Sequence, residues 1–187
     1  MVCYFLWGVE MIVYLDMDQV LTDFNKAVCE KFKLPYPPQI YNFFESIRPQ
    51  VNDICTFDFW ENLEWMPDGK LILGEVCKFF NFYTNHNIYI LTSPMPNVES
   101  ATGKWQWIKK HIPDFYKQTI LTQAPKKLLA KPNTILIDDC TKNVDEFHQA
   151  GGQTILVPRP WNLLHLLADK SVEIVKQQLA EVKCQES

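Results

Sequence analysis

An open α/β fold with a parallel sheet is what this sequence predicts, and three observations carry that expectation. Short apolar runs containing β-branched residues recur along the chain, each ending in a polar group. Stretches with helical spacing separate them. The length, 187 residues, suits one domain with a small insertion. Strands buried on both faces read as continuous apolar runs, which is the signature of a sheet built from strand–helix–strand units.

Taken in order, the first run, Met11–Leu15, ends at Asp16. Asn25–Asp68 breaks the pattern. It is rich in aromatics and in proline (Pro35, Pro37, Pro38, Pro49) and has no clear strand. Residues 1–24 and 69–187 are therefore read as the α/β core, and 25–68 as a small helical cap inserted after the first strand. Leu71–Phe82 reads as the helix that returns the chain to the sheet. Ile88–Leu91 ends at Thr92. Trp105, Ile108 and Ile112 fall at i, i+3 and i+7 on one helix face, and Pro113 stops that helix. Thr119–Leu121 ends at Thr122, and Thr134–Ile137 ends at Asp138 and Asp139. Thr141–Gln149 reads as a helix closed by Gly151-Gly152. Thr154–Val157 ends at Pro158. Val172, Val175, Leu179 and Val182 mark one face of a terminal amphipathic helix.

Composition narrows the class of function. With 47% apolar and 21% charged residues, a folded protein is favoured over disorder. A net charge of −4 argues against broad nucleic-acid binding, so no stable nucleic-acid partner is expected. Six Trp are many, and core packing accounts for most of them before a pocket for a planar ligand does. The six cysteines are scattered without a C-x-x-C pair. Neither a zinc site nor a disulfide framework fits that spacing; a reducing, cytoplasmic setting does. The first fifteen residues are mostly apolar, but they lack the basic flank and small-residue cleavage site of a signal peptide, and Glu10 interrupts them. Met11 is an alternative start, with residues 1–10 as an upstream extension. No stretch is long enough to span a membrane. His86, His111, His148 and His165 show no ligand spacing and are read as structural or surface residues.

In an open parallel sheet, ligands bind beyond the carboxyl ends of the strands. Asp16, Asp18, Thr92, Asp138 and Asp139 stand at or just past those ends. Four converging carboxylates repel unless a cation lies among them. Hard oxygen ligands suit Mg²⁺, and Mg²⁺ beside a carboxylate nucleophile suits phosphoryl transfer through an aspartyl-phosphate. In Asp16-x-Asp18, one carboxylate can attack while the other gives a proton to the leaving oxygen. Thr92 can hydrogen-bond a phosphoryl oxygen, and a lysine can neutralise its charge. Taken singly, Asp16 and Asp18 read equally well as a turn, Thr92 as a strand-end hydroxyl, and Asp138-Asp139 as a helix cap. The ordered set is the specific signal.

That set resembles the haloacid dehalogenase superfamily. Asp16-Met17-Asp18-Gln19-Val20-Leu21-Thr22 is similar to its first motif, Ile90-Leu91-Thr92-Ser93-Pro94 to its second, and Leu136-Ile137-Asp138-Asp139 to its fourth. Within the superfamily, the chain resembles the 5'(3')-deoxyribonucleotidase family, including small bacterial and phage-type members. Asp23-Phe24, Leu63-Glu64 with Pro67 and Gly69, Lys104-Trp105 with Trp107, and Leu121-Thr122 add to the likeness, which runs from about Met11 to Trp161.

The resemblance implies a Rossmann-like α/β core and Mg-dependent hydrolysis of nucleotide monophosphates. Asp16 would be nucleophile and metal ligand. Asp18 would be acid/base and lend its backbone carbonyl to the metal, and Asp138 or Asp139 would complete the metal site. Thr92 and Ser93 would hold phosphate. The third-motif lysine would be Lys126, with Lys127 and Lys104 as alternatives; Lys104 is also read as a substrate contact. Phe24 and Trp60 would face the nucleoside or belong to the core. Gln19 stands where the family usually has glycine, and Trp65 where it usually has proline. Arg159-Pro160-Trp161-Asn162 follows the last strand and either edges the pocket or forms a rigid loop. The expected partner is a small nucleotide; no membrane is expected, and the oligomeric state stays open, a homodimer among the options. The alternatives are a phosphatase for sugar phosphates or nucleic-acid 3' ends, and a catalytically silent binding protein on the same scaffold.

Overall fold

A computed structural model of the chain describes residues 11–39, 43–51, 54–81 and 87–184, the side chains of 44, 183 and 184 excepted. The apolar segment 1–10, the end of the helix expected at Leu71–Phe82, and His86 lie wholly or partly outside the described residues. Five parallel strands form one sheet: β1 (Ile12–Leu15), β2 (Ile88–Thr92), β3 (Thr119–Leu121), β4 (Thr134–Asp138) and β5 (Gln153–Leu156), in the order β3-β2-β1-β4-β5. The fold is α/β with a Rossmann-like core, as the strand–helix alternation predicts.

Both faces of the sheet are covered, which explains the unbroken apolar runs. Alternate residues along a strand point to opposite faces. Val13 and Leu15 join Ile88, Ile90, Ile135, Ile137 and Ile155 in the larger core, while Tyr14 joins Leu91, Leu136 and Phe147 in a second, smaller one. Each of these large aliphatic side chains contributes about 1.5–3 kcal/mol by leaving water.

The helices are α1 (Phe24–Phe32), α2 (Phe43–Val51), α3 (Phe57–Glu61), α4 (Gly69–Phe79), α5 (Val98–His111), α6 (Thr141–Gln149) and α7 (Ser171–Cys184). None of the described helices is long and apolar enough to cross a membrane. The Asp23 carboxylate caps α1 by accepting the Lys26 N–H at 3.0 Å. Two expectations need correction. In α5 the buried face runs through Gly103, Lys104, Trp107 and Ile108; Trp105 is only half-buried and stacks edge-on against Tyr116. The cap of α6 is Cys140, not either aspartate, although the Asp138 carboxylate accepts the Cys140 N–H at 2.8 Å.

α3 lies directly on α5. A Cβ on Gly103 would sit 2.5 Å from the Trp60 Cβ and 2.8 Å from the Phe57 carbonyl oxygen, so only glycine permits this approach. The contact brings Trp60, from the segment between β1 and α4, over Lys104 of α5.

Candidate active site

Register sets the geometry. Leu15 pairs with Ile137, so the next residues, Asp16 and Asp138, leave adjacent strands side by side. Leu15 also pairs with Ile90, which places Thr92 at the end of the strand on the other flank. Two lysines meet these ends.

The first centre gathers around Lys126, on a 3-10 turn (Lys126–Leu129) after β3. Its Nζ donates to Asp16 Oδ1 and to Asp138 Oδ2, both at 2.7 Å, and all three residues are buried. Lys127 turns away and pairs with Glu146 at 3.1 Å near the surface. Asp138 is heavily engaged: Oδ2 also accepts from Asn143 Nδ2 at 3.0 Å, and Oδ1 accepts the Cys140 N–H. The Asp139 Oδ2 accepts the Trp161 indole N–H at 2.7 Å. The Asp139 carbonyl accepts from Asn162 Nδ2 at 2.8 Å.

One carboxylate oxygen each from Asp16, Asp138 and Asp139 can lie within 4.8 Å of one another. Burial first, and then the charges of Asp138 and Asp18, push the Asp16 carboxyl up to about 7 against the pull of Lys126. Asp139 is pushed well above the usual carboxylate range, by burial first and then by Asp138 and Asp16. Asp16 and Asp138 share the Lys126 ammonium while Asp139 is met by the Trp161 indole, so a cation among the three buried carboxylates would favour their ionised forms. An all-oxygen donor set suits a hard divalent ion. Cys140 adds no thiolate, because burial and the flanking aspartates push its thiol up to about 12.

The second centre gathers around Lys104, whose side chain is fully buried. Its Nζ donates to the Asp18 carboxylate and, at 2.9 Å, to Thr92 Oγ1. It also lies 4.3 Å from the centre of the Trp60 ring, a cation–π contact. Thr22 Oγ1 donates to Asp18 Oδ1 at 3.3 Å. The Asp18 carboxylate therefore stands apart from the three-carboxylate group. Trp60 stacks on Phe24 with ring centres 5.1 Å apart, and Phe59 meets both edge-on. Phe24 and Trp60 are both buried in the larger core. The Trp60 indole N–H, also buried, has no hydrogen-bond partner among the described residues. Ser93 is exposed at the end of β2.

Between the centres runs the loop after Asp18. Gln19 adopts φ 64, the left-handed region that favours glycine, and its side-chain oxygen is buried without a partner. Its N–H donates to the Thr22 carbonyl at 2.7 Å, and its own carbonyl accepts from Arg159 Nε at 2.6 Å. Arg159 also forks onto Asp68, at 2.6 and 3.0 Å. Thr22, Asp68 and Asn143 touch the site, and the sequence reading assigned them no role. Arg159 belongs to the segment after β5 that the sequence reads as either a pocket edge or a rigid loop, and its position past a strand end is the signal for it. A cavity of about 360 Å³ borders Arg159 and Trp161, and a larger one of about 650 Å³ lies between α4 and the end of α5, beside Trp65, Gly74 and His111. Neither is lined by Asp16, Asp18, Asp138, Asp139, Lys104 or Lys126.

The chain matches the model of the 5' nucleotidase, deoxy (pyrimidine), cytosolic type C protein family over residues 10–173. It is 27% identical over 148 residues to the human mitochondrial 5'(3')-deoxyribonucleotidase, covering 71% of this chain and 63% of that protein. It is 26% identical over 146 residues to the human cytosolic-type 5'(3')-deoxyribonucleotidase, covering 68% of this chain and 69% of the relative. The match to the mitochondrial enzyme thus spans less than two thirds of its length. A haloacid dehalogenase-like hydrolase from Streptococcus pneumoniae shares the fold, with a TM-score of 0.50 at 10% identity over 95% of this chain and 98% of that one.

Proposed function

The chain belongs to the 5' nucleotidase, deoxy (pyrimidine), cytosolic type C protein family, and on that premise we propose that it is a Mg²⁺-dependent phosphatase of nucleoside monophosphates, deoxynucleotides foremost. The observation that carries this reading is the meeting of Asp16, Lys126 and Asp138 at one sheet edge, with Asp18, Lys104 and Thr92 beside them.

Asp16 is the nucleophile. Its carboxylate forms a bond to phosphorus as the ester P–O bond breaks, and protonated Asp18 gives its proton to the leaving oxygen. Asp18, now a carboxylate, takes a proton from the water that attacks phosphorus. The Asp16–phosphorus bond then breaks, releasing phosphate. Lys104 and Thr92 hold phosphoryl oxygens, with Ser93 at the solvent side. An arriving phosphate competes for Lys104 and loosens its grip on Asp18. Lys126 holds Asp16 and Asp138 in place.

Asp16, the Asp18 backbone carbonyl and Asp139 would hold Mg²⁺, which supplies charge neutralisation at the phosphoryl oxygens. Asp139 suits that part better than Asp138. Three protein donors already occupy the Asp138 oxygens, whereas the one described donor to the Asp139 carboxylate is Trp161.

Residues 25–68 would form the cap, and Phe24 and Trp60 the wall nearest the nucleoside, with the unpartnered Trp60 N–H as a donor for it. The free cysteines Cys29, Cys55, Cys77 and Cys140 fit a cytoplasmic setting. A panel of phosphate esters with Mg²⁺ tests the reading. Deoxynucleoside monophosphates are expected to be turned over best, and the Asp16→Asn variant to lose about three orders of magnitude or more in kcat. Equal turnover of sugar phosphates would remove the nucleotide assignment. Activity surviving in Asp16→Asn would remove the nucleophile.

A further inference from the structure

The segment after β5 reaches the site from behind and touches both of its halves. Arg159, Trp161 and Asn162 are all buried. Arg159 binds the carbonyl of Gln19, the residue that follows Asp18. Its fork onto Asp68, together with an Nη1–H donated to Ser171 Oγ at 3.2 Å, fixes the guanidinium between the starts of α4 and α7. Two residues on, the Trp161 indole N–H binds Asp139 Oδ2. Asn162 Nδ2 binds the Asp139 and Val157 carbonyls, both at 2.8 Å. The Asn162 side-chain oxygen accepts the Arg159 and Leu164 N–H groups, which closes the segment on itself. A rigid surface loop needs none of the contacts to Gln19 or Asp139.

We infer that Arg159–Asn162 is a positioning clamp for the site: Trp161 orients Asp139 so that its other oxygen faces the cation, and Arg159 holds the strained Gln19 turn that presents Asp18. The inference rests on the metal reading given above. An indole N–H is a donor with no acceptor capacity and no charge, so it fixes which carboxylate oxygen remains for the metal without neutralising the group. Arg159 does the same for the backbone. Its planar fork is locked by Asp68, so the Nε–H aimed at Gln19 has no freedom to turn elsewhere.

The test reads metal binding rather than turnover. Mg²⁺ binding to the purified protein is followed by calorimetry and by the indole N–H resonances of ¹⁵N-tryptophan-labelled protein. In the wild type, the Trp161 resonance is expected to move as Mg²⁺ binds. In Trp161→Phe, which keeps the ring and removes the donor, Mg²⁺ affinity is expected to fall about 10- to 100-fold, with the Tm of the metal-free protein nearly unchanged. Arg159→Lys, which keeps the charge and loses the fork, is expected to lower kcat at saturating Mg²⁺ more than it raises KM. Wild-type Mg²⁺ affinity in Trp161→Phe, or a lower metal-free Tm with unchanged affinity, would overturn the clamp and leave a packing role. Should the Phe variant fail to fold, an indole spectrum of the wild type in which no resonance follows Mg²⁺ would overturn it equally. A wild type that binds no divalent cation would overturn both the clamp and the metal reading. Mg²⁺ binding with the expected loss in Trp161→Phe, but no ester hydrolysis, would sustain the clamp and sink only the phosphatase assignment.

Discussion

The two lysine centres differ in what builds them. Lys126, Asp16 and Asp138 come from strand ends and a short turn, and all three are closed off from water. Lys104, Asp18 and Thr92 also leave the core, but Trp60 roofs them from the segment between β1 and α4, and the Asp18 side chain is 24% exposed. The first centre is a charge balance fixed by the sheet. The second is a junction, where a change in the segment between β1 and α4 reaches a lysine and, through it, a carboxylate. A scaffold of this kind can keep its strand-end carboxylates constant while the roof varies.

Removing each lysine separates the two. Lys126→Met leaves Asp16 and Asp138 facing each other without their shared ammonium. The metal-free protein is expected to lose about 3–5 kcal/mol in chemical denaturation, and Mg²⁺ to restore part of it. Lys104→Met relieves a more exposed carboxylate of its partner, so its stability loss is expected to be the smaller of the two, while turnover falls about 100-fold through lost phosphate contact. A reversed order of stability losses would mean the two centres are not built as described.

The pH dependence of the metal-free protein sharpens the same contrast. Asp16 has an ordinary value of 3.8 and a folded value of about 7. Between these, the folded state keeps a proton that the unfolded state has released. The Asp16 contribution to stability therefore falls as pH rises from about 4 to about 7, at up to about 1.4 kcal/mol per pH unit, and levels off above that. Saturating Mg²⁺ is expected to flatten the slope. Denaturation midpoints across that range, with and without Mg²⁺, check both statements.

The smallest expected effect concerns the link between the centres. Gln19→Gly removes a left-handed side-chain conformation and an unpartnered buried amide oxygen, and is expected to raise stability by about 1 kcal/mol. A destabilised glycine variant would mean that the Gln19 side chain packs for more than its backbone costs.

Much of this molecule was legible in the sequence because the carboxylates end their strands. An apolar run that stops at Asp16 or Asp138 states both the strand and the place of its polar tip, and parallel register does the rest. The helical spacing of Thr141–Gln149 was equally direct. Contacts made by long polar side chains across the fold were not legible. Nothing local ties Arg159 to Asp68 and Gln19, or Trp161 to Asp139, because these bonds depend on how loops from distant parts of the chain meet. Periodicity also misjudged α5. It placed Trp105 on the buried face with Ile108 and Ile112, whereas that face holds Lys104, whose charge is met by Asp18 and the face of Trp60. A charged residue inside a core face is invisible to a pattern of apolar spacing.

The place of β1 has a consequence for how the chain is made. β1 lies in the middle of the sheet, yet its neighbours on either side are β2 and β4, so Ile12 waits for Thr134 and Val13 for Ile88. A nascent chain emerging from the ribosome holds an apolar strand with neither partner until β2 appears, and with one bare edge until β4 does. Asp16 can acquire its surroundings only after Lys126 and β4 have been synthesised. Closing such long loops before any pairing is gained slows folding, and the waiting strand is a template for association with other chains. Asp16 precedes both neighbouring strands in the chain and would be completed only once both have been made.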